Sequence, residues 1–289
     1  MEKMAEIVIG NHRSAFENYL TGEKLTPLLL LGDALAVLKG LPDSSVDCVL
    51  VSPPYWRKRE YEGGGIGLER DYRDYIRYLA EVALEVKRVL KPTGSFWLNI
   101  SDSYWRKSLL GIPWRLAFDL VDRQGGILRN AVVWNKVKGG MDSAPDRLAN
   151  VYEMVFHFVK RPKRYYYDLD AIRAKPQRTK VANGKAVSAT GVSGVRYRRQ
   201  IESSTALTEE EKAPAHKALD EALADLAAGR ISDFRMVICG QQRPTHSDSE
   251  RVSGRAKELR EKGFYFLRYH PKGSKPGDVW HILPEDTQR

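Results

Sequence analysis

The chain has 289 residues, 42% of them hydrophobic, with a formal net charge of +10 and a pI near 9.4. That length suits one large α/β domain with an inserted module, or two modest domains. An N-terminus without a sustained apolar stretch (MEKMAEIVIGNHRSAFENYL), the lack of any membrane-length apolar window and the lack of internal repeats argue against secreted, membrane and repeat proteins, so a cytoplasmic setting is expected. Two distant cysteines, Cys48 and Cys239, make neither a zinc site nor a disulfide framework, and the six histidines show no metal-ligand spacing. The basic surplus suits a polyanion such as nucleic acid, but charge alone does not decide for one.

In chain order, Leu28 to Leu31 form an apolar run broken by Gly32-Asp33. Ala34 to Lys39 suit a short helix for which Asp33 is a fitting N-cap, and Val46 to Val51 read as the next strand. Unbroken hydrophobicity in both runs predicts parallel strands covered on both faces, with Cys48 as a small core filler. Ile76, Leu79, Ala83, Val86 and Leu90 recur at three- and four-residue spacing, predicting a helix over 72–90 that Lys91-Pro92-Thr93-Gly94 terminates. SFWLNI follows as a strand, IPWRLAFDLVDRQ as a helix, then ILRNAVVW and VYEMVFHFV as strands. These last two have no room between them for a crossover helix and are expected to pair antiparallel at a sheet edge. The tryptophans at 97, 105, 114, 134 and 280 read as core or interface anchors.

The sum is an α/β fold, a doubly wound, mostly parallel open sheet with helices on both faces. Residues 1–174 form its core. From about Arg173 the texture turns basic and rich in Gly and Ser, so 175–262 read as a partly flexible insertion and 263–289 as a return segment.

Ser52-Pro53-Pro54-Tyr55 stops the second strand abruptly, and a tryptophan follows. In open α/β sheets ligands sit beyond the carboxyl ends of the strands, so this corner and Asp33 are expected beside one crevice. Two prolines remove two donors and aim carbonyl oxygens outward. Such oxygens, with a hydroxyl beside them, suit the exocyclic amine of a nucleobase: hydrogen bonds accepted from the NH2 favour a tetrahedral nitrogen with a free lone pair. A neighbouring aromatic ring can stack on a base flipped from the duplex.

These residues carry a resemblance. SPPY preceded by VDCVLV, and that by Gly32-Asp33-Ala34-Leu35, resembles the amino-DNA methyltransferases of restriction–modification systems with permuted motif order. The likeness continues through GIGLE, VKRVLKPTGSFWLNISDSY, GIPWRLAF, VVWNK, YYYDLDAIR and GDVWHILPED. It implies a Rossmann-like methyltransferase fold and S-adenosylmethionine as cofactor. It further implies catalytic roles for Ser52, Pro53, Pro54 and Tyr55, cofactor contacts from Asp33 and Ala34, and double-stranded DNA contacts from Trp56, Arg57, Lys58 and Arg59. The insertion would be the target-recognition region. Serine before Pro-Pro is commoner in the cytosine-N4 branch, so cytosine N4 is the implied target, with adenine N6 as the alternative.

The family's glycine-rich cofactor loop is expected after GDVWHILPED and is not in the sequence. Gly63 to Glu69 lack the spacing of a dinucleotide fingerprint and read instead as a mobile loop over the site. The fold is therefore expected to be incomplete, with the Leu28 to Leu31 strand lacking its inner neighbour and an apolar edge exposed. Either a second chain carries the glycine loop, or the chain is a fragment, enzymatic or only DNA-binding.

Overall fold

The computed structural model describes residues 6–22, 26–60, 64–137, 144–175, 180–182, 185–187, 194–241 and 254–283. The chain forms two compact units, one of residues 1–167 with 277–289 and one of residues 168–276.

The first unit begins with β1 (Glu6–Ile9), α1 (His12–Thr21) and β2 (Leu28–Leu31), with β1 and β2 paired in parallel. Then come α2 (Ala34–Gly40), β3 (Val46–Val51), α3 (Tyr72–Val89), β4 (Leu90–Ile100), the small hairpin β5 (Tyr104–Trp105) and β6 (Ser108–Leu109), α4 (Ile112–Asp122), β7 (Ile127–Asn135) and β8 (Tyr152–Val159). The second unit holds β9 (Lys180–Ala182), β10 (Lys185–Val187), α5 (Gly194–Glu202), α6 (Glu209–Ala227), β11 (Asp233–Ile238), α7 (Gly254–Lys262) and β12 (Phe264–Tyr269). Strand β13 (Val279–His281) rejoins the first.

A five-stranded sheet in the order β13-β7-β8-β4-β3 carries the first unit. β3 runs parallel to β4 and β13 to β7, while β8 runs against both its neighbours. The sheet is therefore mostly parallel and Rossmann-like. β7 and β8 do pair antiparallel, but β8 is the central strand and not at an edge: it bonds to β4 on its far side, and Glu153 to Val159 are all buried. A strand with ladders on both sides and cover on both faces accommodates the unbroken apolar run of VFHFV.

Helices α3 and α4 lie on one face, where Tyr75, Leu79 and Val86 of α3 and Leu116 and Leu120 of α4 meet Phe96, Leu98 and Ile100 of β4 and Phe156 and Phe158 of β8. Each large apolar side chain removed from water here contributes about 1.5–3 kcal/mol. The cover expected on both faces is missing at β3, where Cys48 is exposed and Leu50 is 76% exposed. Cys48 is thus no core filler. β3 is an edge strand of the sheet, and an unbroken apolar run cannot by itself tell a covered strand from one awaiting cover. β2 has a neighbour in β1, which the sequence pattern did not disclose, yet the expected apolar exposure is there in Ile7, Ile9, Leu29 and Leu31.

The Lys-Pro-Thr-Gly stretch does not form a loop after α3; it is the start of β4, which begins directly at Leu90. Gly94 makes this possible, because a Cβ there would stand 2.9 Å from the Asp47 carbonyl oxygen of β3. Glycine is what lets the two backbones approach.

The second unit has its own core, with Tyr197 and Ile201 of α5 and Leu219 and Ala222 of α6 packed near Phe234, Met236 and Ile238 of β11. Six residue pairs join β11 and β12 antiparallel. The apolar stretch after Gly263 therefore closes this sheet and is not part of the return segment, which begins at Gly277. The basic run around 194–202, read as part of a partly flexible insertion, is helix α5; three arginines mask the buried i, i+4 pair Tyr197 and Ile201. Thr208 and Glu211 form a reciprocal capping box that starts α6. The polar run over 242–253 and much of 176–193, on which the expected flexibility rested, lie outside the described residues. This unit carries 21 Lys and Arg against 14 Asp and Glu, a net +7 of the chain's +10. No helix among the described residues is long and apolar enough to cross a membrane.

Candidate active site at the Ser-Pro-Pro-Tyr corner

At the carboxyl end of β3 the chain turns through Ser52-Pro53-Pro54-Tyr55, which line a cavity of about 360 Å³. That size lies within the roughly 300–1,000 Å³ usual for small-molecule pockets. Lys58 and Arg59 line it from the following turn, Asn99 from β4, Trp134 and Lys136 from the end of β7 and just beyond, and Glu153 from β8. The side chains on adjacent strands converge because Asn99 pairs with Val155 and Glu153 with Trp134, all near the same end of the sheet.

A hydrogen-bond network floors this cavity. The Asn99 amide nitrogen donates to Ser52 Oγ at 2.8 Å, to the Tyr55 hydroxyl at 3.0 Å and to Glu153 Oε2 at 2.9 Å. The Tyr55 hydroxyl itself donates to Glu153 Oε2 at 2.7 Å, and Lys136 Nζ pairs with Glu153 Oε1. Burial pushes the Glu153 carboxyl up, but the bonds from Lys136, Tyr55 and Asn99 outweigh it and the net shift is downward. Glu153 is thus an ionised carboxylate with both oxygens engaged. Burial first, and the bond to Glu153 second, raise the Tyr55 phenol well above the ordinary tyrosine range, so it stays a proton donor. Ser52 Oγ accepts from Asn99 and bonds the Tyr55 hydroxyl, which leaves it a lone pair for whatever enters.

The corner is also held from behind. Tyr75 of α3 donates to the Pro54 carbonyl oxygen at 2.9 Å, while the Pro53 carbonyl has no partner among the described residues. Gly67 (φ 99°) accepts from the Arg57 backbone N–H at 2.7 Å, and a Cβ on it would meet the Tyr55 and Pro54 carbonyl oxygens at 3.1 and 3.3 Å. Glu69 completes the clasp through its carbonyl, which accepts from the Trp56 indole at 3.0 Å, and its side chain, which accepts from the Gly67 N–H at 2.9 Å.

The match to the DNA methylase family model N6_N4_Mtase runs over residues 46–288, from the strand that leads into this corner to the return segment. The chain belongs to that family. It is 31% identical over 281 residues to the type II methyltransferase M.SfiI of Streptomyces fimbriatus, a match covering 89% of this chain and 65% of that protein. To M.SmaI of Serratia marcescens it is 37% identical over 175 residues, 50% of this chain and 59% of the other. Among solved structures, the cytosine-N4-specific PvuII DNA methyltransferase aligns with 23% identity and a TM-score of 0.40, over 50% of this chain and 52% of that one. The chain therefore spans less than two thirds of the length of these relatives.

Within this member of the DNA methylase family, the residues expected at the site do not all gather there. Ser52, Pro53, Pro54, Tyr55, Lys58 and Arg59 do. Trp56 does not: at 2% exposure it is buried against Tyr72 and Trp105 and is an anchor of the corner, which corrects the expected DNA contact. Arg57 turns away from the cavity to lie over the Trp105 ring at 4.4 Å. Asp33 caps α2 by accepting from the Ala36 N–H at 2.9 Å, and its other oxygen accepts from the Tyr78 hydroxyl at 3.1 Å. Neither Asp33 nor Ala34 lines the cavity; α3 links the two places, with Tyr78 on Asp33 and Tyr75, one turn earlier, on Pro54. The loop over 64–69 is clasped to the corner as described, which corrects its reading as mobile; residues 61–63 lie outside the described ones.

Sequence reading missed Asn99, Lys136, Glu153 and the pocket role of Trp134. A signal existed: Glu153 is the one acid in the apolar run YEMVFHFV, and a charge buried in a strand requires partners. The partners themselves come from other strands, which only the sheet order brings together.

Proposed function

We propose that this chain forms the target-amine part of an S-adenosylmethionine-dependent DNA methyltransferase of a restriction–modification system, acting on the N4 amine of cytosine in duplex DNA. The observation that carries this reading is the pairing, at one cavity, of a Ser52 hydroxyl held by Asn99 with a Pro53 carbonyl that has no partner among the described residues. These two oxygens suit the two hydrogens of an exocyclic amine, and holding them turns the nitrogen lone pair toward an electrophile. The Tyr55 and Trp134 rings offer faces for a base flipped out of the stack. Lys58 and Arg59 stand at the same cavity for the flanking phosphates. Glu153, with both oxygens occupied, orders the floor.

The residues present suit one side of the cofactor. Asp33 is an exposed carboxylate whose oxygens accept from the Ala36 N–H and the Tyr78 hydroxyl and keep further lone pairs for hydroxyl or amino groups of a nucleoside, and Ala34 follows it. When bound, S-adenosylmethionine supplies a methyl carbon activated by a sulfonium. The outer edge of β3 has no strand partner among the described residues, and Leu50, Ile9 and Leu31 are 76%, 77% and 60% exposed. Such apolar edges call for cover. We take that cover to be the glycine-loop segment, from a longer form of this protein or from a second chain.

Nucleosides from DNA incubated with the completed enzyme and cofactor, resolved by mass spectrometry, test the reading. N4-methylcytosine is expected; N6-methyladenine would move the target to adenine, and unmodified DNA would leave only the DNA-binding alternative. Calorimetric titration of cofactor into this chain alone should give weak binding, and micromolar affinity would refute the need for completion.

A further inference from the structure

The small hairpin of β5 and β6 carries an unusual tip. Tyr104 pairs with Leu109 and Trp105 with Ser108, leaving the two-residue turn Arg106-Lys107, with φ of 50° and 67°. Left-handed backbone at both central positions is the turn for which Asn-Gly is the favoured sequence, because a Cβ there crowds the following carbonyl oxygen, which Gly avoids and Asn best tolerates. Here both positions are basic, and both side chains are exposed. A third basic residue with left-handed backbone, Arg57 (φ 55°), lies beside them, its guanidinium over the Trp105 ring at 4.4 Å.

The hairpin's placement is rigid with respect to the corner. Ser103, buried at its base, donates from Oγ to the Trp56 carbonyl at 2.9 Å, and the Trp105 ring meets Trp56 edge-on at 5.9 Å. Asp102 anchors the same segment by accepting from the backbone N–H groups of Ser103, Gly111 and Ile112 at 2.8–3.0 Å. The nearby loop adds Arg147, its guanidinium 3.8 Å from the Tyr104 ring centroid. Lys107 Nζ pairs with Asp146 at 3.0 Å, but with side chains 88% and 56% exposed that pair is easily exchanged for a stronger anion. Two crowded backbone positions filled with cations, on a platform fixed to the catalytic corner, are better accounted for by charge needed at that spot than by the turn itself.

We infer that the Arg106-Lys107 tip, with Arg57, is a phosphate clamp that grips the backbone of duplex DNA beside the cavity. This rests on the methyltransferase reading for the identity of the polyanion. Its role is to position the duplex, not to read bases: guanidinium and ammonium groups on an exposed turn neutralise phosphates and release counterions.

The test replaces the tip with the sequence the turn prefers, Arg106→Asn with Lys107→Gly, in the full chain. Binding to a fluorescein-labelled duplex is followed by anisotropy between 50 and 200 mM salt, alongside thermal melting. Melting temperature should hold or rise, while affinity falls and the slope of log affinity against log salt flattens by about two, roughly one per lost phosphate contact. A second variant, Arg106→Gln with Lys107→Gln, removes charge but keeps chain length and should flatten the slope equally; the exchange Arg106→Lys with Lys107→Arg should keep it. If the wild type binds with a clear salt slope and the Asn-Gly variant matches it, the clamp is refuted and the methyltransferase reading stands. If the wild type itself shows no salt-dependent duplex binding, both fall.

Discussion

Glu153→Gln is the sharpest probe of the pocket floor. The substitution keeps shape and an acceptor but removes the charge on which Lys136, Tyr55 and Asn99 converge. The Glu153 side chain is 7% exposed and Lys136 30% exposed. Breaking a fully buried ion pair costs about 3–5 kcal/mol, but Lys136 can turn partly to water, so we expect about 2–3 kcal/mol. For a unit of this size that is a fall in Tm of roughly 5–10 °C at neutral pH. The pH dependence has a definite sign. Because the folded Glu153 has its pKa below the ordinary value of 4.5, its contribution is fully present above that value and is lost as pH falls through the folded pKa. Melting curves of wild type and variant should therefore separate at pH 7 and converge under acid. Adding Lys136→Met to Glu153→Gln should recover part of the loss by removing the stranded cation. Equal Tm values at pH 7, or a gap that persists unchanged to low pH, would refute the account of an ionised, network-held carboxylate.

His157 is 1% exposed, stacked on Trp97 at 4.0 Å between ring centroids, and neither ring nitrogen has a partner among the described residues. Burial pushes its pKa down to about 4 from an ordinary 6.5. The unfolded chain therefore gains protons first as pH falls below 6.5, costing the fold up to about 3 kcal/mol by pH 4. His157→Phe should raise Tm and flatten the stability profile over that window, and a profile as steep as the wild type's would sink the assignment. Gly67→Ala, which puts a Cβ against two corner carbonyls at φ 99°, should cost about 2 kcal/mol and abolish methyl transfer by the completed enzyme; an unchanged Tm would show that the clasp is slack. Tyr55→Ala should lower turnover about ten- to a hundredfold through lost base stacking, beyond any loss in folded fraction, and losses that track melting alone would count against its role.

Much of this protein is local chemistry and could be read along the chain. The apolar run of Val46 to Val51 ending in Pro-Pro needs no tertiary context, because proline removes donors wherever it sits. The stripe on α3 and the caps at Asp33 and Thr208 are likewise settled within a few residues. What the chain alone could not convey depends on which strands become neighbours. Glu153 meets Lys136, Asn99 and Tyr55 only because β8 is inserted antiparallel between β7 and β4. Trp56 is an anchor and Arg57 a surface cation because the Gly67 clasp, 10 residues beyond Arg57, and Trp105 of the β5-β6 hairpin, 49 residues beyond Trp56, close on the corner. Burial, pairing and backbone strain are properties of contacts between distant segments, and a one-dimensional pattern holds only half of each contact.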